Sequence, residues 1–180
     1  MNIFVCGGVA PNMNKKFLVG IDRLAKKLVE AGHSVTCVGA KTGAIGAMYN
    51  AYKKLGGRIV IMIPDCYTDD AVGMNTESVL LPNLYSMQQF ALRNSQATIF
   101  LPGGNGTIAE LFMTIDNVKS GFDKDPILLF NINGFYSSFK TLEEELIKVG
   151  VVEPSQNEMV YLCDTPTQII KTLSKFDSKK

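Results

Sequence analysis

Short apolar runs alternate with stretches of helical spacing along the whole chain. Each run is too short for a buried helix and reads as a strand. Each amphipathic stretch between two runs must then cover the sheet that the strands form. The strand runs are residues 3–6, 34–38, 58–63, 78–81, 97–101, 126–131 and 159–162. The helical stretches are residues 15–31, 46–55, 84–96, 107–119, 134–149 and 166–176, and residues 65–76 read as a polar, mobile connection. Within the first helical stretch Phe17, Leu18, Ile21, Leu24 and Leu28 fall on one face, and Gly32 ends it. Right-handed crossovers between such units assemble an open, doubly wound parallel sheet with helices on both faces. A chain of 180 residues, 46% hydrophobic and 19% charged, fits one such α/β domain spanning residues 1–180, with residues 175–180 as a frayed tail.

Sheets of this kind bind ligands beyond the carboxyl ends of their strands. Three glycine-bearing loops are placed there: Cys6-Gly7-Gly8, the segment from Gly39 to Gly46 with Lys41, Thr42 and Gly43, and the segment from Pro102 to Thr107. The last is the most informative. Gly103, Gly104 and Gly106 lie between a strand run and a helical stretch, with Asn105 and Thr107 among them. Glycines there let the backbone turn sharply and leave its amides uncovered, and a helix start adds partial positive charge. That is a seat for phosphate or carboxylate. Glu110 is expected in the first helical turn, facing whatever the seat holds.

Two readings stay open at Thr107 and Glu110, whose Thr-x-x-Glu spacing suits a capping box as well as a ligand-facing acid. Gly104, Gly106 and Ala109 also match the dinucleotide fingerprint G-x-G-x-x-A. That fingerprint wants an acid after the next strand, where this chain has Asn131-Ile132-Asn133-Gly134, which disfavours a nicotinamide-dependent reductase. No Gly-Lys-Ser/Thr closes the loop, so the Walker pattern fails.

Formal net charge is +1 with no basic stripe, which argues against nucleic acid as a partner. The four cysteines Cys6, Cys37, Cys66 and Cys163 have no metal-ligand spacing and His33 is the sole histidine, so no metal site is expected. Buried free thiols fit a reducing cytoplasm, with Cys6 placed where it could touch a ligand. The first strand begins almost at once, without a signal-like segment, and no run of about 18 apolar residues suggests a membrane span. The expectation is a cytoplasmic protein.

The run Leu101-Pro102-Gly103-Gly104-Asn105-Gly106-Thr107-Ile108-Ala109-Glu110 resembles the P-G-G-x-G-T-x-x-E signature of the LONELY GUY family, the cytokinin-activating nucleoside 5′-monophosphate phosphoribohydrolases often labelled lysine decarboxylases. Supporting segments cover most of the chain. Cys6-Gly7-Gly8 resembles the family's C-G-S-S, Gly43-Ala44-Ile45-Gly46 its G-L-M-G, and Gly56-Gly57 with Val60-Ile61-Met62-Ile63-Pro64 its G-G-x-V-x-G-I-I-P. Residues 124–131 and Gly134-Phe135-Tyr136 resemble its K-P-x-x-L-L-N and G-Y-Y segments. The resemblance implies a Rossmann-like fold, a homodimer, no cofactor, and hydrolysis of a nucleoside monophosphate to free base and ribose 5-phosphate. Carried over by position, residues 102–107 seat the 5′-phosphate, with Gly7, Gly8, Thr42 and Gly43 lining the site, and Glu110 stabilises the ribosyl cation. One departure stands out. Where the family has an arginine in an M-x-x-R-K segment, this chain has Met87, and the nearest cation on that helix is Arg93. Six residues turn a helix by about 240°, so Arg93 would have to reach in from another face. The alternative to a hydrolase is therefore a nucleotide-binding or sensor protein of the same fold with weak or no turnover.

Overall fold

The computed structural model describes residues 1–67, 77–120 and 125–177, without the side chains of residues 156 and 157. Seven strands form one sheet: β1 Asn2–Cys6, β2 Ser34–Val38, β3 Ile59–Pro64, β4 Ser78–Leu81, β5 Thr98–Phe100, β6 Ile127–Phe130 and β7 Val160–Cys163. Their order is β4-β3-β2-β1-β5-β6-β7 and every pairing is parallel. The described helices are α1 Lys15–Glu30, α2 Gly43–Leu55, α3 Leu84–Arg93, α4 Asn105–Lys119, α5 Ser137–Lys148 and α6 Pro166–Asp177, with short 3-10 turns at Asp65–Tyr67, Ile132–Gly134 and Pro154–Asn157.

Burial on both faces explains why the five inner strands β1, β2, β3, β5 and β6 read as apolar runs, whereas the edge strands β4 and β7 are partly exposed. Alternate residues of each strand go to opposite layers. Ile3 and Val5 of β1 join the layer with Ile21, Leu24 and Leu28 of α1, Met48 of α2 and Ile169 of α6. Phe4 and Cys6 join the other, with Met87 of α3, Leu111 of α4 and Tyr136, which caps the start of α5. Strand β1 therefore presents Cys6 to the layer containing α4.

Several boundaries differ from the sequence expectation, each for a local reason. Helix α2 begins at Gly43, three residues earlier than its apolar spacing indicates, because Gly43 takes φ +68° and lets the turn close sooner. Helix α4 begins at Asn105 rather than Thr107. Helix α3 stops at Arg93, where the Asn94 side chain donates to the Phe90 carbonyl (2.7 Å). Helix α5 starts at Ser137, because Asn133 (φ 51°) and Gly134 (φ 75°) are both left-handed and break the helical path. Helix α6 continues through Asp177, so Lys175 and Phe176 are helical rather than frayed. The connection at 65–76 opens with a 3-10 turn, and its residues 68–76 lie outside the described residues, as do 121–124 and 178–180. Among the described residues no helix is long and apolar enough to cross a membrane.

Candidate active site

The sheet changes direction at β1. Its chain continues to β2 on one side, while β5 pairs on the other. Loops leaving β1 and β5 consequently part to opposite faces, and a crevice opens between them at their carboxyl ends. The loop residues Gly7 and Gly8 meet those after β5 here. The Leu101 amide donates to the Cys6 carbonyl (2.8 Å) and the Gly8 amide to the Pro102 carbonyl (3.0 Å). Closeness explains the glycines. A Cβ on Gly7 would lie 2.9 Å from the Leu101 Cβ, and one on Gly8 would lie 3.0 Å from the Gly103 Cα. Gly103 is tighter still: its Cβ would stand 2.1 Å from Thr107 Oγ1 and 2.7 Å from the Gly8 nitrogen.

The helix starts around this crevice differ in what they offer. In α1 the Asn14 side chain accepts from the Lys16 amide (2.9 Å), and in α3 that of Asn83 accepts from the Ser86 amide (2.9 Å). In α2 the Gly8 carbonyl accepts from the amides of Ala44 (2.7 Å) and Ile45 (3.3 Å), and the Thr42 hydroxyl donates to the Val9 carbonyl (2.6 Å). The Thr42 hydroxyl is thus engaged in buttressing the first loop, against which Gly43 packs closely. A Cβ on Gly43 would fall 2.5 Å from that same Gly8 carbonyl. Helix α4 is the exception. Its N-cap, Gly104, has no side chain to cap with, and the first amide to bond back is that of Ile108, to the Gly104 carbonyl (3.1 Å). The amides of Asn105, Gly106 and Thr107 donate to no group among the described residues. A Cβ on Gly104 or Gly106 would meet only open space, so no side chain covers this start.

Glu110 is the sixth residue of α4, in its second turn. It does not complete a capping box, because the helix begins two residues before Thr107. Its carboxylate reaches across to β1, where Oε2 accepts from the Cys6 thiol. Oε1 accepts no hydrogen bond among the described residues and remains in contact with solvent. Burial pushes the Glu110 carboxyl above its ordinary value, and the thiol's bond pulls it partly back. Burial, then the adjacent Glu110 charge, holds the Cys6 thiol well above its ordinary value, so sulfur keeps the proton.

Below Glu110 its own carbonyl is fixed by two side chains. Gln88 Nε2 donates to it (3.2 Å), and so does Thr114 Oγ1 (2.7 Å). Tyr136 is buried and donates its hydroxyl to the Leu101 carbonyl (2.7 Å), pinning the end of β5. The Tyr136 amide donates in turn to Asn131 Oδ1 (2.7 Å), whose Nδ2 donates to Asp164 Oδ1 (2.8 Å). Sequence reasoning left Gln88 and Thr114 aside and gave Tyr136 only as part of a family-like segment. The signal for Gln88 is a polar residue on the apolar face of α3, between Met87 and Ala91.

The structure brings Glu110, Gly103, Gly104, Asn105, Gly106, Thr107, Gly7 and Gly8 together, with Cys6 added. Two expected residues lie elsewhere. Met87 is 3% exposed, packed in the apolar layer with Phe100, Leu111 and Tyr136, and so lines no open surface. Arg93 is exposed in the last turn of α3 and forms no ion pair with Glu110. About 240° of helix rotation separates its direction from that of the buried Met87. Among the described residues no cation is paired with Glu110. Nor do three or more His, Cys, Asp or Glu residues gather as a metal set among them.

Comparison with known proteins matches residues 45–173 to the family model described as "Possible lysine decarboxylase". The chain belongs to that family, the LONELY GUY (LOG) family. Among its LOG relatives is a probable cytokinin riboside 5′-monophosphate phosphoribohydrolase of Oryza sativa subsp. japonica, LOGL3. It is 27% identical over 173 residues, covering 95% of this chain and 82% of the relative. LOG5 of Arabidopsis thaliana, a cytokinin riboside 5′-monophosphate phosphoribohydrolase, is 25% identical over 155 residues, covering 85% and 68%. The fold is shared with the molybdenum cofactor carrier protein of Chlamydomonas reinhardtii at a TM-score of 0.73 and 15% identity, covering 99% of this chain and 98% of that one.

Proposed function

We propose that this LOG protein hydrolyses the N-glycosidic bond of a nucleoside 5′-monophosphate, releasing free base and ribose 5-phosphate. One observation carries the reading: three unengaged amides at the start of α4 stand one helical turn from a carboxylate with a free oxygen. The names of the LOG relatives supply the reaction class. The amides of Asn105, Gly106 and Thr107 take the phosphate, helped by the helix dipole. The sugar then comes to rest against Oε1 of Glu110. As the C1′–N bond breaks, its electron pair leaves with the base and positive charge builds on the ribose. A fixed anion beside that charge lowers the barrier. Water adds to C1′, and its proton ends on the departing base. The protein works as a cytoplasmic homodimer in this proposal, which light scattering tests for assembly.

Glu110→Gln keeps the shape of the side chain and removes its charge. Base release from AMP, followed by chromatography, is expected to fall by about a hundredfold or more in this variant, with ribose 5-phosphate binding retained. In the wild type, activity should fall on acidification at a higher pH than an ordinary glutamate would set, because burial raises the Glu110 carboxyl. Undiminished release by the variant rejects the mechanism.

A second reading, nucleotide binding without turnover, is favoured by the lack, among the described residues, of a cation paired with Glu110 and by the burial of Met87. A panel of nucleoside monophosphates separates the two: binding with no free base supports the sensor.

A further inference from the structure

We propose that Cys6 is a positioning residue for Glu110: its thiol holds Oε2 so that Oε1 faces the crevice. The inference rests on the hydrolase reading for its purpose, and on the geometry alone for its substance. A glutamate on an open helix face samples several rotamers. Here one is selected from the far side of the crevice, because β1 turns Cys6 toward α4 while β5 holds the two elements at fixed separation. Among the described residues no other group donates to the carboxylate. Gln88 and Thr114 are committed to the Glu110 carbonyl, and Tyr136 donates to Leu101. Thr107 and the Gly7 amide face the sulfur. Among the described residues no cation competes for the carboxylate. Cys6 is 4% exposed, and burial keeps it protonated, so it serves as a neutral donor across the range in which Glu110 ionises. A neutral thiol orients the carboxylate and leaves its charge intact.

The test compares Cys6→Ala, which removes the donor, with Cys6→Ser, which restores one. The Glu110 carboxyl is titrated by 13C NMR, its resonance assigned through Glu110→Gln, and AMP hydrolysis is measured as a function of pH. In Cys6→Ala the titration midpoint is expected to rise, the acid limb of the rate profile to move with it, and kcat to fall by about tenfold. Cys6→Ser should return all three toward wild type, which simple cavity formation would not. The S–H stretching band of wild-type protein gives a readout that needs no folded alanine variant. The Cys6 band, assigned with Cys6→Ser, should move to lower frequency as Glu110 ionises. An unmoved midpoint in Cys6→Ala, or an S–H band indifferent to Glu110 ionisation, overturns the inference. A moved midpoint in a protein that releases no base supports the thiol–carboxylate coupling and counts against the hydrolase reading instead.

Discussion

Glu110 is held at a cost to the fold. Its carboxyl ionises less readily in the folded chain than in the unfolded one, since burial outweighs the thiol's help. The folded state therefore binds the proton more tightly, and ionising Glu110 subtracts stability as pH climbs from its ordinary 4.5 through the raised value. Glutamine does not titrate. The melting temperature of Glu110→Gln minus that of wild type should thus increase across this window and stay high above it. A difference that is flat with pH, read by differential scanning fluorimetry, would contradict the burial. This feature was illegible in the sequence. The Thr-x-x-Glu spacing invites a capping box, and only the earlier helix start at Asn105 frees Glu110 for a partner that lies 104 positions away.

At the scale of elements, the loop between β5 and α4 makes different demands on its glycines. Gly103 is pressed between the Thr107 side chain and the Gly8 nitrogen, whereas Gly104 and Gly106 look into empty space. Gly103→Ala should therefore overpack the junction and lose about 1–3 kcal/mol, visible in urea denaturation. Gly106→Ala should leave folding within about 0.5 kcal/mol while weakening phosphate binding, because its methyl covers the amides from outside. Equal destabilisation by both would show that the loop is not layered in this way. The run of glycines announces a sharp turn, yet the sequence does not say which glycine packs and which stays bare. That depends on β1 lying alongside.

For the whole molecule, strand identity was legible because the strands are short and mostly apolar, and all seven expected runs form strands. Strand order was not. Nothing in residues 3–6 or 97–101 states that β1 and β5 are neighbours; contacts between residues far apart in sequence decide it. The crevice follows from that order alone. Met87 and Arg93 show the same limit: a helical wheel says that they differ in direction, and only the packed sheet says that one goes to the core and the other to solvent. Occupying the crevice should stabilise the entire domain. Ribose 5-phosphate at about one hundred times its Kd is expected to add about 2.7 kcal/mol, or about 5–10 °C in melting temperature. No shift at any concentration would mean that the α4 amides do not bind it.

The Gly8 carbonyl, turned into the first amides of α2, silences one of two adjacent helix poles. A pyrophosphate bridging both starts would find half its landing ground already taken by the chain itself. A single phosphoryl group meets no such rivalry. If a phosphate docks at α4 as proposed, the backbone would favour one phosphoryl group over two before any base is read.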